Sequence, residues 1–319
     1  MQGRQEWEFE MRKTVLVSGV AGFIGAAVAR ALLSEGYRVI GLDDLSSGRE
    51  DNIPEGVDFV EADLTRPKLE KLIPGPVEKI FHLAGQSSGE ISFEDPRSDL
   101  EKNTISTLNL IHLGINKNSE RMIYASSMSV YGEISTRRAS EKMELEPISC
   151  YGVSKLSSEQ YLQIFSAQLP FVSLRMFNVY GPGQDLKNLK QGMVSIYLAQ
   201  ALDSGHIIVR GSQDRFRDFI NIRDVVEIWL LASTSPHAIG QAINAGTGEK
   251  TSVAELISKI VLQIPSTTVA FEGSTPGDQT GIVADTTKLN RILGKSSFVG
   301  LDEGISEFAQ WAKSLVAGQ

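Results

Sequence analysis

Tyr151 and Lys155 stand four residues apart in "YGVSK", and of the seven tyrosines in the chain only this one has a lysine at that spacing. On a helix, positions i and i+4 share a face, so the pair sets an ammonium beside a phenol. A phenol ordinarily titrates near ~10, about 3 pH units above neutrality, which leaves it about 4 kcal/mol from being a ready base. A buried positive charge narrows that gap and fits the tyrosine for general-base work on a hydroxyl. Upstream, "YASSMSVYG" offers Ser126 and Ser127, and either hydroxyl could share the transferred proton.

A second group of residues suits a dinucleotide. In "TVLVSGVAGFIG", Gly19, Gly22 and Gly25 fall at the turn from a first strand into a first helix. Glycine there permits a tight bend and close approach of a pyrophosphate, and the helix start offers free amides to its oxygens. The spacing alone is a weak signal; its position directly after the first strand is what gives it weight. Asp43 ends "YRVIGLDD" and is placed to accept hydrogen bonds from an adenosine ribose. Its charge repels a 2′-phosphate, which favours NAD over NADP. Asp63 in "EADLT" could border the adenine, although an acidic loop residue would look the same.

Such residues need strand ends beside helix starts. From Thr14, short β-branched runs ("TVLVSGV", "YRVIGLDD", "VDFVEADL", "KIFHLAG", "RMIYASS") alternate with amphipathic stretches such as "AAVARALLSEG". That rhythm predicts an α/β fold, a Rossmann-type doubly wound parallel sheet. "FVSLRMFNV" and "QAINAG" are candidate late strands, with "EQYLQIFSAQL" a helix before them. After about residue 178, loops rich in Gly and Pro and isolated helices such as "SVAELISKIVLQI" predict a smaller C-terminal α/β substrate lobe. The expected division is a loose extension over 1–11, a dinucleotide domain over 12–177 plus about 219–248, and the lobe over 178–218 plus about 249–319.

The 319 residues are 41% apolar and 22% charged, and 31 basic against 39 acidic residues leave a net charge of −8. The basic residues are scattered, so no nucleic-acid partner is expected. No apolar run approaches the roughly 18 residues of a membrane span, and the charged start is unlike a signal peptide, so a cytoplasmic protein is expected. Cys150 is the single cysteine, and neither a CxxC nor an HExxH stretch exists, so no disulfide and no metal are expected. His82, within an apolar strand, reads as a satisfied core histidine, Cys150 as packing, and Arg137 and Arg138 as a solvated loop.

Taken in order, "GVAGFIG", "LDD", "ADL", "HLAG", "SSMSVYG", "YGVSK", "NVYGPGQ", "RDFINIRDVV", "NAGTG" and "PGD" resemble the extended short-chain dehydrogenase/reductases, specifically the NAD-dependent nucleotide-sugar epimerases and dehydratases. The resemblance runs from about Thr14 to the C-terminal helix. It implies NAD as cofactor and a catalytic triad of Ser127, Tyr151 and Lys155, with Lys155 also on the nicotinamide ribose. It implies dinucleotide contacts from Gly19, Gly22, Phe23, Ile24 and Gly25 at the first turn, and from Asp43, Asp44, Ser47 and Gly48 after the second strand. Asp63 and Leu64 would follow the third strand, and Leu83, Ala84 and Gly85 the fourth. Asn103 matches the family's asparagine before a helix, with Ser106 where a glycine is usual. For a nucleotide-diphosphate sugar it implies Ser87 and Ser88 facing the hexose beside Ser127, Phe177 and Asn178 by the diphosphate, Arg217 as a clamp, and Asp278 on the nucleoside ribose. Thr275 replaces an arginine common in related UDP-galactose epimerases, and Ile282 matches a position that limits bulk at the sugar's C2. The helices carrying "SDLEKNTISTLNLIHLG" and Tyr151 imply a homodimer.

Family dehydratases carry an Asp and a Glu where this chain has Met128 and Ser129, and neither can move the proton that loss of water requires. A 4-epimerase, regenerating NAD in each turnover, is therefore the expected activity. A keto-sugar reductase is the enzymatic alternative. An NAD-sensing regulator of the same fold is the other, and such proteins commonly lose the Tyr and Lys that this chain keeps.

Overall fold

The computed structural model of the chain describes residues 13–134, 138–190, 192–273 and 280–317. Its central sheet begins with β1 (Thr14–Ser18), β2 (Arg38–Asp43), β3 (Asp58–Glu61), β4 (Lys79–His82), β5 (Arg121–Ser127) and β6 (Phe171–Met176). Four short strands then leave for the smaller lobe: β7 (Asn178–Tyr180), β8 (His206–Arg210), β9 (Phe216–Arg217) and β10 (Phe219–Asn221). β11 (Gln241–Ala245) returns to the sheet, and β12 (Thr251–Ser252) and β13 (Thr268–Glu272) complete the lobe. The sheet order is β11-β6-β5-β4-β1-β2-β3, with every neighbouring pair parallel.

Parallel strands covered on both faces read as unbroken apolar runs, and Val15, Leu16 and Val17 are all fully buried. Alternate residues serve opposite faces. Val15 and Val17 join the core under the helices Phe23–Ser34 and Ile222–Thr234, where Phe81 and Trp229 pack with ring centroids 6.3 Å apart. Leu16, Ile80 and Tyr124 pack on the other face against the helices Ser106–Asn116 and Cys150–Ile164. The chain winds outward from β1 through β2 and β3, then crosses to β4 on the other side of β1. That reversal opens a crevice at the strand ends, where such sheets bind ligands.

His82 closes the seam between β1 and β4. Its two ring nitrogens lie 2.8 Å from Ser18 Oγ and 2.9 Å from Thr107 Oγ1, and burial pushes its pKa down to about 3. It is a neutral core residue.

The smaller lobe has its own core of Tyr180, Tyr197, Leu198, Leu256, Ile260 and Phe308. The helix Val253–Gln263 lies in "SVAELISKIVLQI", with Ser252 Oγ capping Glu255 N at 3.1 Å. Late in the chain, the helix Thr287–Leu293 packs Leu289 and Leu293 into the core of the first sheet face. Asp218 ties the lobe to the sheet: its buried carboxylate accepts from Thr247 N and Oγ1, Gly248 N and Ala284 N at 2.6–3.1 Å. Arg138 is exposed as expected of a loop residue, but it donates to the carbonyls of Gly248 and Ala284, which brings the 138 loop to the same junction. Residues 1–12 and Arg137 lie outside the described residues.

Candidate active site

A cleft of about 770 Å³ runs along the strand ends and into the smaller lobe. Of the described residues expected at the site, all but Asn103 and Ile282 line it. Asp278 and Thr275 fall outside the described residues.

At one end, the turn after β1 bends through Gly19 at φ +71°, and a Cβ there would sit 2.6 Å from Ala84 N. A side chain at Gly25 would collide with the Gly19 carbonyl. The turn therefore needs both glycines to bring the helix start against β4, leaving its backbone bare toward the cleft. Asp43 is buried, and its carboxylate accepts from Ala21 N at 3.0 Å and Leu45 N at 2.9 Å. Each carboxylate oxygen keeps a further lone pair for a ligand hydroxyl. Asp44 is exposed and caps Ser46 N at 3.0 Å.

At the other end, Ser149 Oγ caps the tyrosine helix through Gly152 N at 3.1 Å. Gly152 is the second letter of "YGVSK", and a Cβ on it would lie 2.5 Å from the Ser129 carbonyl. Its hydrogen is what lets the helix lie against the end of β5 and brings Tyr151 beside Ser127. Ser127 acts on the Tyr151 hydroxyl, drawing its pKa down, and its own hydroxyl donates to Ser129 Oγ at 3.2 Å. Lys155 Nζ donates to the Ala125 carbonyl at 2.9 Å and lies 5.1 Å and 5.7 Å from the ring centroids of Tyr124 and Tyr151. Burial pushes Tyr151 up to about 12, against the pull of Ser127, and pushes Lys155 down to about 8. The expected lowering of the phenol by its neighbouring ammonium is not what the protein's own groups produce: burial sets the direction, because spacing sets proximity and not solvation.

Asn103 sits within a π-turn, Glu101–Ile105, that joins two helical segments. π-turns of this kind recur at functional sites. Ser106 has helical φ and ψ of −58° and −42°, so no glycine is needed there. Its hydroxyl instead donates to the Lys102 carbonyl at 2.6 Å. Asn103 Nδ2 donates to Asp99, while Asn103 Oδ1 is buried without a protein partner beside Gly85, where a Cβ would collide with it. An orphaned acceptor beside Gly85 and Lys155, together with the bare glycine turn and the carboxylate of Asp43, fits a dinucleotide. Among the described residues no group of three or more His, Cys, Asp or Glu side chains could hold a metal ion.

The residues 15–246 match the family model described as the NAD dependent epimerase/dehydratase family, well over half the chain. The chain belongs to the NAD-dependent epimerase/dehydratase family. Among its relatives, a putative UDP-glucose 4-epimerase of Methanocaldococcus jannaschii is 33% identical over 305 residues, covering 94% of this chain and 98% of the relative. A solved UDP-glucose 4-epimerase of Thermotoga maritima, with UDP-glucose, superposes at a TM-score of 0.90 with 31% identity, covering 95% of this chain and 99% of that one. A UDP-N-acetylglucosamine 4-epimerase of Methanobrevibacter ruminantium, in complex with UDP-N-acetylmuramic acid, gives 0.89 and 29%, again with 95% and 99% covered. The chain is an NAD-dependent enzyme of the epimerase family.

On the sugar side, Met128 and Ser129 do stand next to the serine–tyrosine pair, and Ser129 N donates to Ser127 Oγ at 3.1 Å. Asn178 Nδ2 reaches Met128 Sδ at 3.6 Å. Arg217 is buried, and burial pushes it down to about 10, still a cation at neutral pH. Ile282 departs from the sequence expectation. It is fully buried with Tyr131, Phe177 and Ala284 and does not line the cleft. Two buried features escaped the sequence reading. Glu159 and Arg175 form an ion pair at 2.7 Å beneath Ser126, and Asp99 bonds to Ser154, Gln86 and Asn103. The four-residue spacing of Asp99 to Asn103 is the signal that could have found one bond of the second.

Proposed function

We propose that the chain is a 4-epimerase of a nucleotide-diphosphate hexose, with a UDP-sugar favoured, acting through a transient 4-keto sugar. The observation that carries this reading is the juxtaposition of Ser127 and Tyr151 at the point where the glycine-turn half of the cleft meets the half holding Arg217, with Met128 and Ser129 beside it. Held by these residues, NAD would supply the acceptor and then the donor for a hydride at the sugar's C4. Tyr151 takes the C4 hydroxyl proton and later returns it, Ser127 shares that proton, and Lys155 holds positive charge under the phenol. Asp43 takes the adenosine ribose, and the Asn103 carbonyl and Lys155 the ribose nearer the reaction. Asn178 and Arg217 grip the diphosphate, while Ser87 and Ser88 face a hexose held loosely enough to turn over. With no acid–base pair at 128 and 129, loss of water is disfavoured.

The same reading includes a cytoplasmic homodimer. Leu100, Ile105, Val153, Tyr161 and Ile164 are exposed on the two helical segments expected to pair across a twofold axis. Among the described residues no helix is long and apolar enough to cross a membrane.

The test is incubation with a panel of UDP-, dTDP-, GDP- and CDP-sugars, with products identified by NMR. The expected result is a C4 epimer of one or more of them with no net change in cofactor. Stoichiometric loss of NADH or NADPH against a keto sugar would instead identify a reductase.

A further inference from the structure

Asp99, on the short helix Pro96–Leu100, is a fully buried carboxylate beneath the tyrosine helix. One oxygen accepts from Ser154 Oγ at 2.6 Å; the other accepts from Gln86 Nε2 at 2.8 Å and Asn103 Nδ2 at 3.1 Å. The three donors come from the three parts that meet at the reacting end of the cleft. Ser154 lies between Tyr151 and Lys155, Gln86 lies in the loop after β4, and Asn103 lies in the π-turn. A carboxylate only accepts, so each donor is turned toward it and the Asn103 carbonyl oxygen is left facing Gly85 and Lys155.

The charge is the second half of the argument. A carboxylate and an ammonium removed from water keep their charges only where each answers the other. Lys155 is the cation that acts on Asp99, and Asp99 acts in turn on both Lys155 and Tyr151. Among the other titratable groups on the surrounding elements, His82 of β4 is neutral, and burial holds Tyr124 of β5 protonated. Glu159, further along the tyrosine helix, is bound by Arg175 of β6 at 2.7 Å. On the neighbouring short helix Gly89–Glu94, Glu94 pairs with Lys190 at the surface at 3.2 Å. Lys102 in the π-turn keeps its charge and donates to Ser46 Oγ at 2.9 Å.

Resting on the acid–base reading above, we propose that Asp99 is a positioning residue for that chemistry: it orients Asn103 and the tyrosine helix, holds Lys155 as an ammonium, and so sets the pH range in which Tyr151 works, without touching substrate or cofactor. Burial draws Lys155 toward the neutral form and Asp99 opposes this, while the same carboxylate resists ionisation of the phenol.

The test is the pH profile of kcat/KM for the NAD-loaded protein with UDP-glucose or UDP-N-acetylglucosamine, together with the ultraviolet phenolate absorbance of the same protein minus that of Tyr151→Phe, which needs no turnover. In Asp99→Asn the new carbonyl keeps the bonds from Gln86 and Asn103, the amide donates to Ser154 Oγ, and the negative charge is gone. Both limbs of the profile should then move to lower pH by about 1 unit or more, and the phenolate signal with them. Asp99→Ser, the second neutral variant, should shift the same way and serves if Asp99→Asn does not fold. Ser154→Ala keeps the charge and should leave the limbs in place. Limbs that stay put in the neutral variants, with only lower height or a lower melting temperature, would overturn the proposal. So would an equal shift in Ser154→Ala. Wild-type turnover in Tyr151→Phe would bring down the acid–base reading itself, an outcome separate from either.

Discussion

Burial, with the Asp99 carboxylate acting in the same direction, lifts the Tyr151 phenol to about 12 against the pull of Ser127. The positive nicotinamide ring of NAD is the further charge that the proposed base needs. Tyr151→Phe removes the acid–base hydroxyl and little packing, so turnover should fall roughly 100-fold to 10,000-fold, while NAD still accompanies the purified protein, as measured in cofactor released on denaturation. Asp43→Ala should relax the preference for NAD over NADP in binding titrations with both; an unchanged ratio would mean that Asp43 does not meet the ribose. Tyr151, Lys155 and Asp43 were legible because their signals are local: a helical spacing and a strand end. Asp99 was not, since its partner Ser154 lies 55 residues away, and the Glu159–Arg175 pair likewise exists only once helix and sheet have packed. Nor can spacing show that Lys155 turns its ammonium to the Ala125 carbonyl.

Elements position these residues through close approaches that few side chains allow. The turn after β1 and the start of the tyrosine helix both depend on glycine, and both were visible as motifs. The π-turn at Asn103 was not, because "KNTIST" carries no breaker and its displaced carbonyls are met by hydroxyls of Ser106, Thr107 and Ser158. β4 carries its own pH sensitivity. His82 is neutral in the fold, with a pKa near 3 against an ordinary 6.5, so the unfolded chain binds the extra proton between those values. The stability His82 contributes is whole above pH 6.5 and is lost as pH falls toward 3, at up to about 1.4 kcal/mol per pH unit. Urea denaturation at pH 6 and pH 4 should show that slope in the wild type and lose it in His82→Gln. An equal slope in both would assign the acid sensitivity elsewhere.

At the scale of the whole molecule, the sheet supplies one wall of the cleft and the smaller lobe the other, joined through Asp218 and the segment after β11. The parallel sheet followed from the strand and helix rhythm, whereas the two-residue strands β9 and β12 are too short to leave a pattern. The face bearing Ile164, 71% exposed, is the proposed dimer surface. Ile164→Glu should convert a dimer to a monomer in light scattering, because a charge at an apolar seam goes unpaired; an unchanged mass would place the contact elsewhere. The central claim, removal and return of one hydride at a single carbon, is tested most directly with UDP-glucose carrying deuterium at C4, its products read by NMR. The account predicts the C4 epimer with deuterium retained at C4 and the bound cofactor unchanged at the end. Protium from solvent at that carbon, or reduced cofactor accumulating with product, would contradict it.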